Sequence, residues 1–107
     1  LPILPVEEWD DRNQVHGCQS RAHVSCDLDD EGQFVLRGGA DAQIVQGLIA
    51  VTAIAVNGMS PSYVAAMSPE FADSMGIRSS LTPSRANGFL NMFKRVQEEA
   101  SSLSGRT

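Results

Sequence analysis

The sequence predicts an α+β fold, a small antiparallel sheet made by one hairpin over about residues 20–37 and packed on a layer of helices. Three observations carry this. Residues 22–28 alternate apolar and polar, the chain after Asp41 is written in helical patterns, and strands come first and helices after, with no strand–helix–strand alternation that would ask for a parallel sheet.

Each element has its own signal. Residues 1–16 have no clear periodicity and read as an extended approach segment. Ala22, Val24, Cys26 and Leu28 share one side of a strand; Arg21, His23, Ser25 and Asp27 share the other, which places Cys26 in the core and His23 on an exposed face. Asp29-Asp30-Glu31-Gly32 is a turn in which Gly32 supplies a positive φ. Residues 33–37 return as the second strand, and Gly38-Gly39 break it. Asp41 is placed as the N-cap of a helix running to about Asn57, stopped by Gly58. Its second half, 48–56, is apolar all round and so predicts the central buried helix. Ser60-Pro61, Ser68-Pro69 and Thr82-Pro83 each pair a capping hydroxyl with proline at the first helical position, giving three further helix starts. The last helix runs from Pro83 to about Leu103 with Ala86, Phe89, Leu90, Phe93, Val96, Ala100 and Leu103 as its apolar stripe.

Composition narrows the function. With 107 residues the chain is read as one domain, large enough for a core without staples, and its net charge of −5 argues against nucleic acid as a partner. The charge is uneven: residues 1–31 carry eight acids against two bases, and the remainder five acids against six bases. The longest apolar run, 48–56, is interrupted by Thr52 and is far short of the roughly 20 residues that span a bilayer. Two cysteines are too few for a disulfide framework or a four-ligand zinc site, and His16 and Cys18 show no recognisable metal spacing.

The chemistry rests on Val15-His16-Gly17-Cys18-Gln19-Ser20. Cys18 stands beside a glycine, before the first strand and outside any apolar run, with His16 and Arg21 close enough in sequence to favour its thiolate. The residues alone leave it open between a reachable nucleophile and a small buried hydrophobe. A Cys–His hydrolase would have to draw on His16 or His23 and is the weaker reading.

Three segments in order resemble the SufE family: Gly17-Cys18-Gln19-Ser20 before a strand, Asp41-Ala42-Gln43-Ile44-Val45-Gln46-Gly47-Leu48 at a helix start, and Leu81-Thr82-Pro83-Ser84-Arg85-Ala86-Asn87-Gly88 at another. The resemblance implies a SufE/IscU-like fold and sulfur transfer for iron–sulfur cluster assembly. Cys18 would accept sulfur as a persulfide from a SufS-type cysteine desulfurase, which the chain would also stimulate, and would pass it to a SufBCD-type scaffold. Gly17, Gln19 and Ser20 would shape the loop for the partner, and Arg85 and Asp41 would support fold or loop. The pyridoxal phosphate belongs to the desulfurase, so no bound cofactor, metal, nucleic acid or membrane is implied for this chain. The alternatives are a desulfurase adaptor in which Cys18 is dispensable and an IscU-type scaffold, the latter disfavoured because only two cysteines are present. The compartment implied is a bacterial cytoplasm or a plastid stroma. The sequence departs from the family where His23 replaces an aromatic residue, Ala22 a valine and Gly39-Ala40 an Asp-Ser pair, and the resemblance leads to the expectation that the family's helical segment ahead of Leu1-Pro2 is lacking.

Overall fold

The computed structural model describes residues 3–16, 21–68, 70, 76 and 81–105. Strands β1 (Ala22–Leu28) and β2 (Phe34–Ala40) form an antiparallel hairpin in the register Ala22↔Ala40 through Leu28↔Phe34. At its tip the Asp29 carboxylate accepts from the N–H groups of Glu31 and Gln33, both at 2.9 Å, and Gly32 turns the chain at φ 78°. Helices α1 (Gln43–Val56) and the long α3 (Pro83–Ser104) pack against the hairpin and the short α2 (Pro61–Ala66) packs on α3, completing the α+β architecture.

Local capping chemistry places the two later helices. Ser60 Oγ accepts from Tyr63 N–H at 3.2 Å to start α2, and Thr82 Oγ1 accepts from Arg85 N–H at 3.3 Å to start α3, each with proline in the first turn. Ser68 Oγ likewise accepts from Glu70 N–H, while the rest of the helix expected after Ser68-Pro69 lies outside the described residues. Asp41 does not cap α1. Ala42 occupies the N-cap without a side-chain hydrogen bond, because the Asp41 carboxylate is engaged by the Arg21 N–H at 3.0 Å.

The core lies between the inner face of the hairpin and the helices: Val24, Phe34, Leu36, Ile49, Val56, Val64 and Val96 are fully buried, and the half-buried Cys26 packs against them. The expectation for α1 holds on one side only. Ile49, Thr52, Ala53 and Val56 face the core, whereas Ile54 is 81% exposed, since one helix on a two-stranded sheet has a single face to bury.

Gly38 and Gly39 do not break β2, which runs through both to Ala40. They permit close approach on opposite faces. A Cβ on Gly38 would strike Ile49 of α1, and one on Gly39 would lie 2.8 Å from both Leu4 O and Trp9 Cε2. The outer edge of β2 is closed by irregular chain and two side chains. Asn57 Oδ1 accepts from Leu36 N–H at 2.6 Å and its Nδ2 donates to Leu36 O. Gln46 Oε1 accepts from Ala40 N–H at 3.0 Å. Phe34 bonds to Gly58 and Met59, and Leu4 N–H donates to Gly38 O at 2.9 Å.

Residues 3–16 form a strap across the outer face of the hairpin. Ile3 bridges to Gly38 on the free edge of β2, and Gln14 bridges to His23 on the free edge of β1. Between them a 3-10 turn (Val6–Glu8) carries the chain over the face, and Arg37 of β2 holds Glu8 through both carboxylate oxygens at 3.1 and 3.3 Å.

Candidate functional site

Cys18 and its neighbours Gly17, Gln19 and Ser20 lie outside the described residues; what the structure defines is the frame on either side. Before them, Val15 is buried, and its N–H donates to Ala22 O at 2.7 Å while Val24 N–H donates to Asn13 O at 2.7 Å, so residues 13–15 are bridged to the free edge of β1 with Gln14 opposite His23. After them, Arg21 N–H donates to Asp41 Oδ1 at 3.0 Å and Asp41 N–H donates back to Arg21 O at 3.1 Å. Asp41 therefore acts at this frame as a tie between the start of β1 and the approach to α1. His16 and Arg21 are both exposed. A shallow cleft beside His16 is lined by Val15, Asn91, Lys94, Arg95 and Glu98, which brings two cationic side chains and a carboxylate to the same side of the frame.

A stack of three side chains underlies Arg21. Its guanidinium carbon lies 5.4 Å from the Trp9 ring centroid, and Trp9 in turn stacks on His23 at 5.2 Å with 14° between the planes. Trp9 Nε1–H donates to Leu4 O at 3.0 Å, locking the indole over Gly39 and His23. His23 is consequently buried, contrary to the exposed face the alternation predicts, because the strap covers the outer side of the strand. Its Nδ1 is buried without a hydrogen-bond partner.

Burial, and then the positive charge of Arg21, hold the His23 imidazole below its ordinary 6.5, against the opposing pull of Asp10, Asp11 and Asp41. The unfolded chain thus takes up this proton first as the pH falls. The stability tied to neutral His23 is complete above about pH 6.5 and is lost as the pH drops through the lower folded value. His23→Phe retains a ring under Trp9 and removes the orphan nitrogen, so it should raise stability by about 1 kcal/mol at neutral pH. It should also shrink the loss between about pH 7.5 and about pH 5.5, read from urea midpoints at both. An undiminished loss would assign the acid sensitivity to another group.

Cys26 is the opposite of a working thiol. It is a free cysteine, and burial, with the nearby Glu99 carboxylate adding to it, pushes its pKa up to about 12. Arg85 sits at the third position of α3, half-buried, with its N–H on the Thr82 cap. Among the described residues no cluster of three His, Cys, Asp or Glu side chains could hold a metal ion, and no helix is long and apolar enough to cross a membrane. Sequence reasoning missed Trp9, Gln46, Asn57 and Arg95. The adjacent glycines at 38 and 39 were the available signal for Trp9, since paired glycines in a strand mark close approach; the polar side chains bond to irregular backbone that no periodicity reveals.

Comparison with known proteins adds the family context. The family model described as SufE, Fe-S metabolism associated domain, matches residues 1–100. An uncharacterized SufE-like protein of Synechocystis sp. is 43% identical over 88 residues, which cover 82% of this chain and 55% of that protein. SufE-like protein 1, chloroplastic/mitochondrial, of Arabidopsis thaliana is 35% identical over 91 residues, covering 85% of this chain and 24% of the plant protein. The chain thus spans about half the length of the cyanobacterial relative and about a quarter of the plant one. The solution structure of a hypothetical protein from Thermus thermophilus superposes with a TM-score of 0.80 at 24% identity, over 100% of this chain and 77% of that one, and shares the fold.

Proposed function

Because the chain belongs to the SufE family of Fe–S metabolism proteins, we propose that it accepts sulfur on Cys18 from a SufS-type cysteine desulfurase and delivers it to a SufBCD-type scaffold. The observation that carries this reading is the family match across residues 1–100, which takes in Gly17-Cys18-Gln19-Ser20 between two hydrogen-bonded ties. In the transfer, the Cys18 thiolate attacks the outer sulfur of the donor's cysteine persulfide. A new S–S bond forms on Cys18, the donor's S–S bond breaks, and the donor cysteine leaves as a thiolate. The sulfane sulfur changes carrier with no net oxidation, so no external redox partner enters. Pyridoxal phosphate does its chemistry in the desulfurase, and this chain supplies the acceptor thiol and the surface that presents it. The acidic strap, with Glu7, Glu8, Asp10 and Asp11 exposed, suits a basic rim on that partner. A free acceptor thiol requires a reducing compartment, which a bacterial cytoplasm and a plastid stroma both provide.

Intact mass after incubation with a SufS-type desulfurase and cysteine tests the reading. One added sulfur, about 32 Da, is expected on the wild-type chain and on Cys26→Ser, and none on Cys18→Ser. Cys26 serves as the internal control because a thiol with a pKa of about 12 is essentially all protonated at neutral pH. No adduct, with desulfurase stimulation intact in Cys18→Ser, would replace this reading by a non-catalytic adaptor.

A further inference from the structure

Helix α3 reaches the strap through Arg95. Its Nη1 donates to Gln14 O at 2.8 Å, its Nη2 donates to Arg12 O, and its Nε donates to Glu99 Oε1 at 3.1 Å one turn further along the helix. Irregular backbone carbonyls need donors, and a planar guanidinium whose third side is fixed by a carboxylate can serve two of them at once. The two carbonyls stand one and three residues before Val15, whose own N–H is tied to Ala22 O. Residues 12–15 are therefore gripped from two directions, by β1 on one side and α3 on the other. The Arg95 side chain is 24% exposed, so the grip is partly shielded from water.

We propose that Arg95 is a positioning residue for sulfur acceptance, clamping the strap where the chain enters the Cys18 segment; this rests on the reading of Cys18 as the acceptor. Anchoring the entry to that segment in the free protein lowers the ordering cost that docking on a desulfurase would otherwise carry. The clamp acts on affinity for the partner and leaves the transfer step itself to the thiol. It uses the backbone of Arg12 alone, whose side chain is 89% exposed.

The test measures desulfurase-dependent sulfur acceptance against the concentration of this protein for the wild type, Arg95→Met, Arg95→Lys and Arg12→Ala. Amide hydrogen exchange at Val15 and Val24 is followed in each chain without partner. Arg95→Met should raise the half-saturating concentration about tenfold, equivalent to about 1.4 kcal/mol, while the rate at saturation stays within about twofold. It should also speed exchange at both amides, which are the hydrogen bonds joining strap to β1. Arg95→Lys, with one point donor in place of a fork, should recover part of both effects, and Arg12→Ala, which keeps the clamped carbonyl, should leave exchange at both amides as in the wild type. An unchanged half-saturating concentration in Arg95→Met, or a loss confined to the saturated rate, overturns the positioning role. Unchanged exchange at Val15 and Val24 overturns the clamp alone, whereas a wild-type chain that takes up no sulfur overturns the acceptor reading beneath it.

Discussion

Replacing Phe34 by alanine should cost about 3–5 kcal/mol, the range for removing a fully buried aromatic ring whose surroundings close only partly over the gap. Phe34 is wholly buried at the first position of β2, opposite Leu28, with its backbone fixed by Met59 and Gly58. That tethering limits how far the neighbours can collapse into the cavity. Against a typical domain stability of about 5–15 kcal/mol, the variant would sit near the edge of folding. A midpoint lowered by more than about 12 °C is expected in thermal unfolding. A loss below about 1 kcal/mol would mean that the hairpin and α1 can repack without the ring.

Gly39→Ala should cost about 1–3 kcal/mol by overpacking. The added methyl meets Leu4 O and the Trp9 ring, and of these Leu4 O is backbone that cannot rotate aside. The strap must lift, and because Trp9 is the chain's single tryptophan, its emission should shift to the red and become more open to quenching. Gly38→Ala meets Cγ2 of the fully buried Ile49, a branch methyl fixed next to its helix backbone, and should cost a comparable amount; Gly47→Ala, in open space on α1, should stabilise by about 0.5–1 kcal/mol. Native-like Trp9 emission in Gly39→Ala would show that the strap does not depend on this approach.

What the sequence made legible is what is decided locally. Ser60-Pro61 and Thr82-Pro83 start helices where expected because a hydroxyl oxygen and the N–H that donates to it lie three residues apart. Gly32 and Gly58 take positive φ at the expected turns for the same reason. Asp41 had the chemistry of an N-cap and lost that role to a partner twenty residues away, Arg21. His23 had the periodicity of an exposed position and is covered by a segment that shows no periodicity at all. Gly38-Gly39 carried a real signal whose meaning, interruption or close approach, depends on what packs against the strand. At the candidate site, the segment resemblance singles out Cys18, while the ties that hold its flanks come from Asp41 and Arg95, far away in the chain. Gly17, Cys18, Gln19 and Ser20 lie outside the described residues, so their roles rest on the proposal and its mass measurement.

The closed outer edge of β2 has a consequence for crowding. A neighbouring chain that met this strand side-on would find Leu36 already hydrogen-bonded to the Asn57 amide and Ala40 to Gln46, leaving no ladder to extend. Growth of the two-stranded sheet into intermolecular ribbons is thereby blocked from that side, so a concentrated solution of the protein has no strand-to-strand route to association along this edge.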